Sequence, residues 1–161
     1  MIYTEMTQKA MKLCFEAHKD QVDKSGVPYV FHPFHVAESM PDEITTTVAL
    51  LHDVAEDTPY TLDDLRAMGF PPEVTDVLAL LTHDESVPYL DYVRALSKDP
   101  VARLVKLSDL AHNSDRARLK VWDAAAAARL EKYRAAEAIL READSLRTRD
   151  FSQPLPKEGT P

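Results

Sequence analysis

The stretch ITTTVALLHDVAED, residues 44–57, is the strongest indicator of the fold, because its centre is apolar on nearly every side and its end is charged. Asp42 stands just ahead of it, where a side chain can cap a helix. A helix that is apolar all round is expected to lie buried among other elements. Residues 45–48 are β-branched and taken alone would also suit a strand. Over the whole stretch, we predict one buried helix that ends at Asp57.

Outside this stretch, the chain consists of segments whose apolar residues have helical spacing. Loops that carry Gly, Pro and polar residues separate these segments. Residues 148–161 contain three prolines, and we expect them to form a disordered tail. Residues 1–147 are then one all-α domain of about eight helices. Besides 42–57, these helices are expected at 6–21, 33–40, 61–69 with a Thr61/Asp64 capping box, 71–81, 89–96, 100–109 with Asp99 as cap, and 123–147.

Composition and charge exclude several classes of function. The 161 residues are 45% hydrophobic and 29% charged, as in soluble globular proteins, and three glycines leave no phosphate-binding glycine loop. A net charge of −8 argues against a nucleic-acid partner. A small anionic substrate would need a metal or local Lys and Arg. The lone Cys14, the absence of a signal-peptide pattern and the lack of a long apolar run predict a cytoplasmic protein without a membrane span.

The chemical signal is a set of histidines and acids. His52 and Glu56 are four residues apart, as are Asp53 and Asp57, so all four are predicted to cluster at one end of the apolar helix. Buried charges need a partner, which leaves a buried salt-bridge network or a divalent ion. Nitrogen and oxygen ligands suit Mn²⁺, Fe²⁺ or Zn²⁺. The whole set is His32, His52, Asp53, Glu56, Asp57 and Asp109.

Three ordered motifs carry a family resemblance. They are HKDQVDKSGVPYVFHPFHVA (18–37), ALLHDVAEDT (49–58) and VKLSDLAHN (105–113). Together they resemble the hydrolase domain of RelA/SpoT-type enzymes, within the HD superfamily, and above all its stand-alone small alarmone hydrolases. The likeness covers about residues 7–118. It implies an HD-type helical bundle around a mononuclear metal site.

The resemblance also implies the chemistry of that site. It implies one divalent ion, Mn²⁺, and hydrolysis of the 3′-pyrophosphate of guanosine tetra- or pentaphosphate, with Glu56 and Asp57 positioning or activating the attacking water. The alternatives are an HD-family nucleotidase, another nucleoside-polyphosphate hydrolase, or a catalytically silent module that binds a nucleotide. The sequence leaves the oligomeric state open. The metal ligands implied are His32, His52, Asp53 and Asp109.

Further positions concern the substrate. Lys24, Ser25 and Asn113 match family residues that contact the nucleotide, and Lys106 is either a phosphate ligand or a solvated lysine. Asp23 stands where the family has a basic residue that stacks on guanine. It is therefore expected to oppose phosphate and weaken guanine selection, so that an arginine there would lower the KM. Arg116 also departs from the family pattern. Whether His18 or His35 joins the metal site is left open.

Overall fold

The computed structural model describes residues 1–118 and 121–150. Within these ranges the chain is helical, and its β pairing is confined to an isolated bridge between Val22 and Pro28. The predicted all-α fold is confirmed. The helices are α1 (Glu5–His18), α2 (Phe31–Glu38), α3 (Glu43–Leu51), α4 (Val54–Asp57), α5 (Leu62–Ala67), α6 (Pro72–Leu81), α7 (Tyr89–Leu96), α8 (Pro100–Asn113) and α9 (Ala124–Asp150), with a 3₁₀ turn at Arg116–Arg118.

Helix α3 is the centre of the bundle. Every residue from Thr45 to Leu51 is buried, and the helix packs against α1, α2, α6 and α8. Asp42 caps it by accepting the backbone N–H of Thr45 at 2.8 Å. Full burial of an aliphatic side chain contributes about 1.5–3 kcal/mol. Because helices surround α3 on all sides, that burial outweighs the local strand tendency of residues 45–48.

The prediction of one continuous helix over 44–57 is wrong. Helix α3 ends at Leu51 and α4 begins at Val54, so the chain breaks at His52 and Asp53. Asp53 has φ −99° and ψ −4°, which lies in the bridge region rather than in helical geometry. The backbone N–H of Asp57 still donates to the Asp53 carbonyl at 2.8 Å. The break accounts for nine helices among the described residues where eight were expected.

Several predicted helix ends are confirmed. Thr61 and Asp64 form the expected capping box at the start of α5, and Gly69 follows its end with a φ of +82°, which favours glycine. Asp99 accepts the N–H groups of Val101 and Ala102 at the start of α8. These caps set where each helix begins, and so they set which residues α8 brings to the centre of the bundle.

Helix α8 packs against α2 and α3, which brings the start of α2, the α3–α4 break and the middle of α8 together. Helix α9 packs against α7 and α8 and continues to Asp150, three residues past the boundary expected at 147. The rest of the expected tail, 151–161, lies outside the described residues. No described helix combines the length and the apolar character that crossing a membrane requires.

Candidate metal centre and cleft

Three buried side chains converge where α2, the α3–α4 break and α8 meet. His32, His52 and Asp109 each offer a ligand atom, and these atoms all lie within 4.8 Å of one another. The Nε2 atom of His32 lies 3.1 Å from Oδ1 of Asp109, and Nε2 of His52 lies 3.9 Å from the same oxygen. Both Nε2 atoms are buried without a hydrogen-bond partner. Unpartnered imidazole nitrogens facing a buried carboxylate are a donor set that fits a divalent ion.

Local contacts prepare His52 for that role. Its Nδ1 lies 2.7 Å from the carbonyl oxygen of Ala49, an acceptor, so Nδ1 carries the hydrogen and Nε2 faces the group. Burial disfavours the imidazolium form, but Asp53 and Asp109 outweigh it and raise the pKa of His52 to about 9. An ion that binds Nε2 must therefore displace a proton at neutral pH.

Asp53 borders the three-residue group. Its Oδ2 lies 3.1 Å from Nε2 of His52 and 3.6 Å from Nε2 of His32. The hydroxyl of Tyr29 donates to the same oxygen at 2.5 Å. Burial would raise the pKa of Asp53, but the charge of His52 lowers it below its usual range. The carboxylate is thus ionised and held in one orientation beside the group.

Lys106 and Asn113 both hold Asp109. The Lys106 ammonium lies 2.8 Å from Oδ2, and the Asn113 amide donates to Oδ1 at 2.5 Å. Burial opposes ionisation of Asp109, yet the charge of Lys106 keeps its pKa well below the usual range. Lys106 is mostly buried, so it is not a solvated lysine. Lys106 also lines a cleft beside Asp109, where its ammonium can contact a bound ligand.

A cleft of about 510 Å³ opens beside Asp53 and Asp109. Its lining includes Glu56 and Asp57, and the N–H of His83 donates to Oε2 of Glu56 at 3.0 Å. Burial raises the pKa of Glu56, and burial together with the charge of Asp53 raises that of Asp57. A raised pKa brings each carboxylate closer to the range in which it can exchange a proton with water.

The charged lining of this cleft is mixed. Six carboxylates face four cations, so a divalent ion would bring the lining close to neutrality and admit an anionic ligand. The carboxylates belong to Asp23, Asp53, Glu56, Asp57, Asp109 and Asp115, and the cations to Lys24, Lys106, Arg118 and Arg129.

The structure corrects the expected role of Asp23. Its Oδ1 accepts the N–H groups of Ser25 and Val27 at 2.8 and 3.0 Å, and its Oδ2 lies 3.2 Å from Nη2 of Arg118. The charge that was expected to repel phosphate is therefore neutralised by an arginine that lies 95 residues later in the chain. The pKa of Asp23 is accordingly below its ordinary value: partial burial opposes this, but the two backbone N–H groups and Arg118 prevail.

Of the remaining positions singled out in the sequence, Lys24 and Ser25 lie at the cleft and Arg116 lies away from it. Lys24 and Ser25 line the cleft, but the Ser25 hydroxyl donates to the carbonyl of Arg118 at 2.6 Å. Arg116 does not line the cleft, because its guanidinium lies over the Trp122 ring at 4.2 Å.

His18 and His35, the two histidines whose place in the metal site the sequence left undecided, lie outside the candidate ligand group. His18 is fully buried, with Nδ1 2.7 Å from Oε1 of Gln21. His35 stacks on the ring of His112, with centroids 4.1 Å apart. Neither offers an atom to the group formed by His32 and its partners.

Several residues around the site were not predicted from the sequence. Tyr29 stands three positions before His32, a spacing that could have linked the two, and Arg129 and Tyr133 line the cleft from successive turns of α9. His112 was left without a role, although its Nδ1 lies 2.6 Å from Nδ1 of His32.

Comparison with known proteins gives relatives that are named either pyrophosphohydrolase or pyrophosphokinase. No protein-family model matches the chain. The chain is 36% identical over 114 residues to the guanosine-3′,5′-bis(diphosphate) 3′-pyrophosphohydrolase MESH1 of Mus musculus, a match covering 62% of this chain and 63% of that protein. It is 37% identical over 125 residues to a GTP pyrophosphokinase of Streptomyces antibioticus, covering 66% of this chain and 14% of that protein. The chain thus spans less than two thirds of the length of these relatives.

A solved structure described as a metazoan ortholog of SpoT that hydrolyzes ppGpp shares the fold. The TM-score is 0.62 at 23% identity, and the match covers 91% of this chain and 98% of the other. This likeness agrees with the helical fold of the described residues. The solved structure shows the same fold. The sequence matches support an HD-type RelA/SpoT hydrolase domain, and they confirm the resemblance carried by the three motifs.

Proposed function

We propose that this domain hydrolyses the 3′-pyrophosphate of guanosine tetra- or pentaphosphate, with Mn²⁺ held by His32, His52, Asp53 and Asp109. The observation that carries the proposal is the pair of buried, unpartnered Nε2 atoms facing Asp109 at the edge of a charged cleft. The mouse relative is named as this 3′-pyrophosphohydrolase, and so is a relative from Aquifex aeolicus that is 31% identical over 123 residues.

An ion held by these ligands would supply Lewis-acid chemistry, polarising a phosphate oxygen and lowering the pKa of a water. Of Glu56 and Asp57, one accepts the proton of the attacking water and the other orients that water, because both line the cleft next to Asp53 and both have raised pKa values. The water oxygen bonds to the phosphorus next to the ribose, and the bond from that phosphorus to the 3′ oxygen breaks. The 3′ oxygen takes up a proton, and pyrophosphate leaves.

Cations around the cleft offset the charge of the substrate. Lys24, Arg118 and Arg129 line it together with Lys106. Negative charge that develops on the phosphate oxygens is stabilised by positive groups already fixed in place. Lys106 and Asn113 act in addition by holding the two oxygens of Asp109.

The test is a product assay on the Mn²⁺-loaded protein with guanosine tetraphosphate. We expect equal amounts of guanosine diphosphate and pyrophosphate, and we expect His52→Ala to abolish both. Release of orthophosphate instead would identify a different nucleotidase. No release from any 3′-phosphorylated or pyrophosphorylated nucleotide, by a protein that still binds Mn²⁺, would identify a silent binding module.

A further inference from the structure

We propose that His112 and Arg118 are positioning residues that fix the tautomer of His32, so that Nε2 of His32 presents its lone pair to the metal. The inference rests on the metal centre of the proposed function. It gives a part to His112, which the proposed reaction leaves without one, and a second part to Arg118, besides its charge in the cleft. Its evidence is a chain of hydrogen bonds that leads from His32 through His112 to Arg118 and Asp23.

The first link is a contact between two imidazoles. Nδ1 of His32 and Nδ1 of His112 are 2.6 Å apart, a hydrogen-bond distance. The two rings are within 8° of parallel and their centroids are 4.9 Å apart, so they meet edge to edge through these nitrogens. Only one of the two nitrogens carries the hydrogen of this bond, because the other must accept it. The contact alone does not say which.

The contacts of Arg118 determine which of the two rings donates this hydrogen bond. Its Nη1 lies 3.1 Å from the same Nδ1 of His112 and 3.0 Å from the His112 carbonyl. A guanidinium has five N–H donors and no acceptor, so Nδ1 of His112 must be the accepting atom. The hydrogen between the rings therefore belongs to Nδ1 of His32. Nε2 of His32 is left unprotonated, and this is the buried, unpartnered atom 3.1 Å from Asp109.

Arg118 is itself held in place. Nη2 lies 3.2 Å from Oδ2 of Asp23, and the Arg118 carbonyl accepts the hydroxyl of Ser25. Asp23 thus acts on the metal centre at a distance, by orienting the arginine.

At His52 a different kind of group accepts the hydrogen on Nδ1. There the acceptor for Nδ1 is the carbonyl of Ala49, three residues earlier in the chain. For His32 the carbonyl three residues earlier is that of Tyr29, and it accepts the backbone N–H of His32 at 2.8 Å. His112 supplies the acceptor for the ring from another helix, so both candidate histidine ligands carry their hydrogen on Nδ1.

The first measurement is the nitrogen NMR spectrum of histidine rings in the metal-free protein, at a pH where His32 is neutral. We expect His32 to carry its hydrogen on Nδ1 in the wild type and in Arg118→Lys, which keeps a donor. In Arg118→Met we expect a second population with the hydrogen on Nε2. The matched control is Arg116→Met, since Arg116 lies over Trp122 and away from His112. A wild-type His32 with its hydrogen on Nε2 would overturn the proposal.

The second measurement is the affinity for Mn²⁺, followed by the electron paramagnetic resonance of the free ion. Loss of a group that orients a metal ligand weakens metal affinity by about 10–100-fold. We expect such a loss in His112→Phe and near-wild-type affinity in His112→Asn, whose side-chain oxygen can accept from Nδ1 of His32. Equal affinity in wild type, His112→Phe and Arg118→Met would overturn the proposal.

Should the phenylalanine variant fail to fold, Arg118→Met and the wild-type spectrum still decide. Neither measurement uses a nucleotide. A protein that binds Mn²⁺ as predicted but hydrolyses no alarmone would therefore refute the proposed function and leave this inference standing.

Discussion

Replacement of Tyr29 by phenylalanine should weaken Mn²⁺ binding without unfolding the protein. The hydroxyl donates to Oδ2 of Asp53 at 2.5 Å, the oxygen that faces Nε2 of His52 at 3.1 Å. Burial and the nearby Asp53 raise the pKa of Tyr29 far above its usual range, so the hydroxyl remains a donor. Without it, Asp53 loses the contact that fixes its orientation toward the ion.

The size of the effect follows from the contact. A hydrogen bond to a charged group contributes about 1.5–3 kcal/mol. Since 1.36 kcal/mol corresponds to a tenfold change, the expected loss is about 10–100-fold in the dissociation constant for Mn²⁺. The assay is a titration with Mn²⁺ at constant pH, followed by calorimetry or paramagnetic resonance.

The matched control is Tyr92→Phe. The Tyr92 hydroxyl is also buried and also donates at 2.5 Å, but to the backbone carbonyl of Leu81. Its loss should lower the free energy of unfolding by about 1–3 kcal/mol and leave Mn²⁺ affinity unchanged. Unchanged affinity in Tyr29→Phe would refute the role of Tyr29 in holding Asp53, and an equal loss in both variants would refute its specificity.

Three further results are expected. Glu56→Gln and Asp57→Asn should each retain Mn²⁺ and slow pyrophosphate release by about 10²–10⁴-fold, and wild-type turnover in either would remove that residue from the mechanism. Because the pKa of His52 is raised to about 9, its ring must lose a proton to bind the ion. Mn²⁺ affinity should therefore fall as the pH is lowered below 9, with protons released on binding at pH 7, as calorimetry in buffers of different ionisation enthalpy would show. Asp23→Arg should lower the melting temperature and raise the KM, because it sets a second guanidinium against Arg118; a lower KM would restore the role expected from the sequence.

Much of the fold could be predicted because its signals are local. The caps at Asp42, Thr61 and Asp99 lie within three residues of the N–H groups they accept, and the apolar run of α3 specifies burial by itself. The break at His52 and Asp53 could not be predicted. No glycine or proline marks it, and its two side chains contact residues of other helices, Asp53 with His32 of α2 and His52 with Asp109 of α8.

The site divides in the same way. The candidate ligands stand out in sequence as polar residues within apolar surroundings. The environment of Asp23 does not, because its partner Arg118 is 95 residues away. The pairing of Lys106 with Asp109 was within reach of sequence reasoning, since their spacing of three residues places them on one helix face. The burial of both side chains could not be predicted from this spacing. It is this burial that makes Lys106 a contact of a candidate metal ligand rather than a solvated lysine.

The decisive measurement is a crystal structure of the Mn²⁺-loaded protein, with anomalous data collected at the manganese absorption edge. We predict one anomalous peak per chain, within bonding distance of Nε2 of His32, Nε2 of His52 and Oδ1 of Asp109, with Asp53 as the fourth protein ligand. A peak at another place, or no peak from a protein that hydrolyses guanosine tetraphosphate under the same conditions, would contradict the metal centre proposed here.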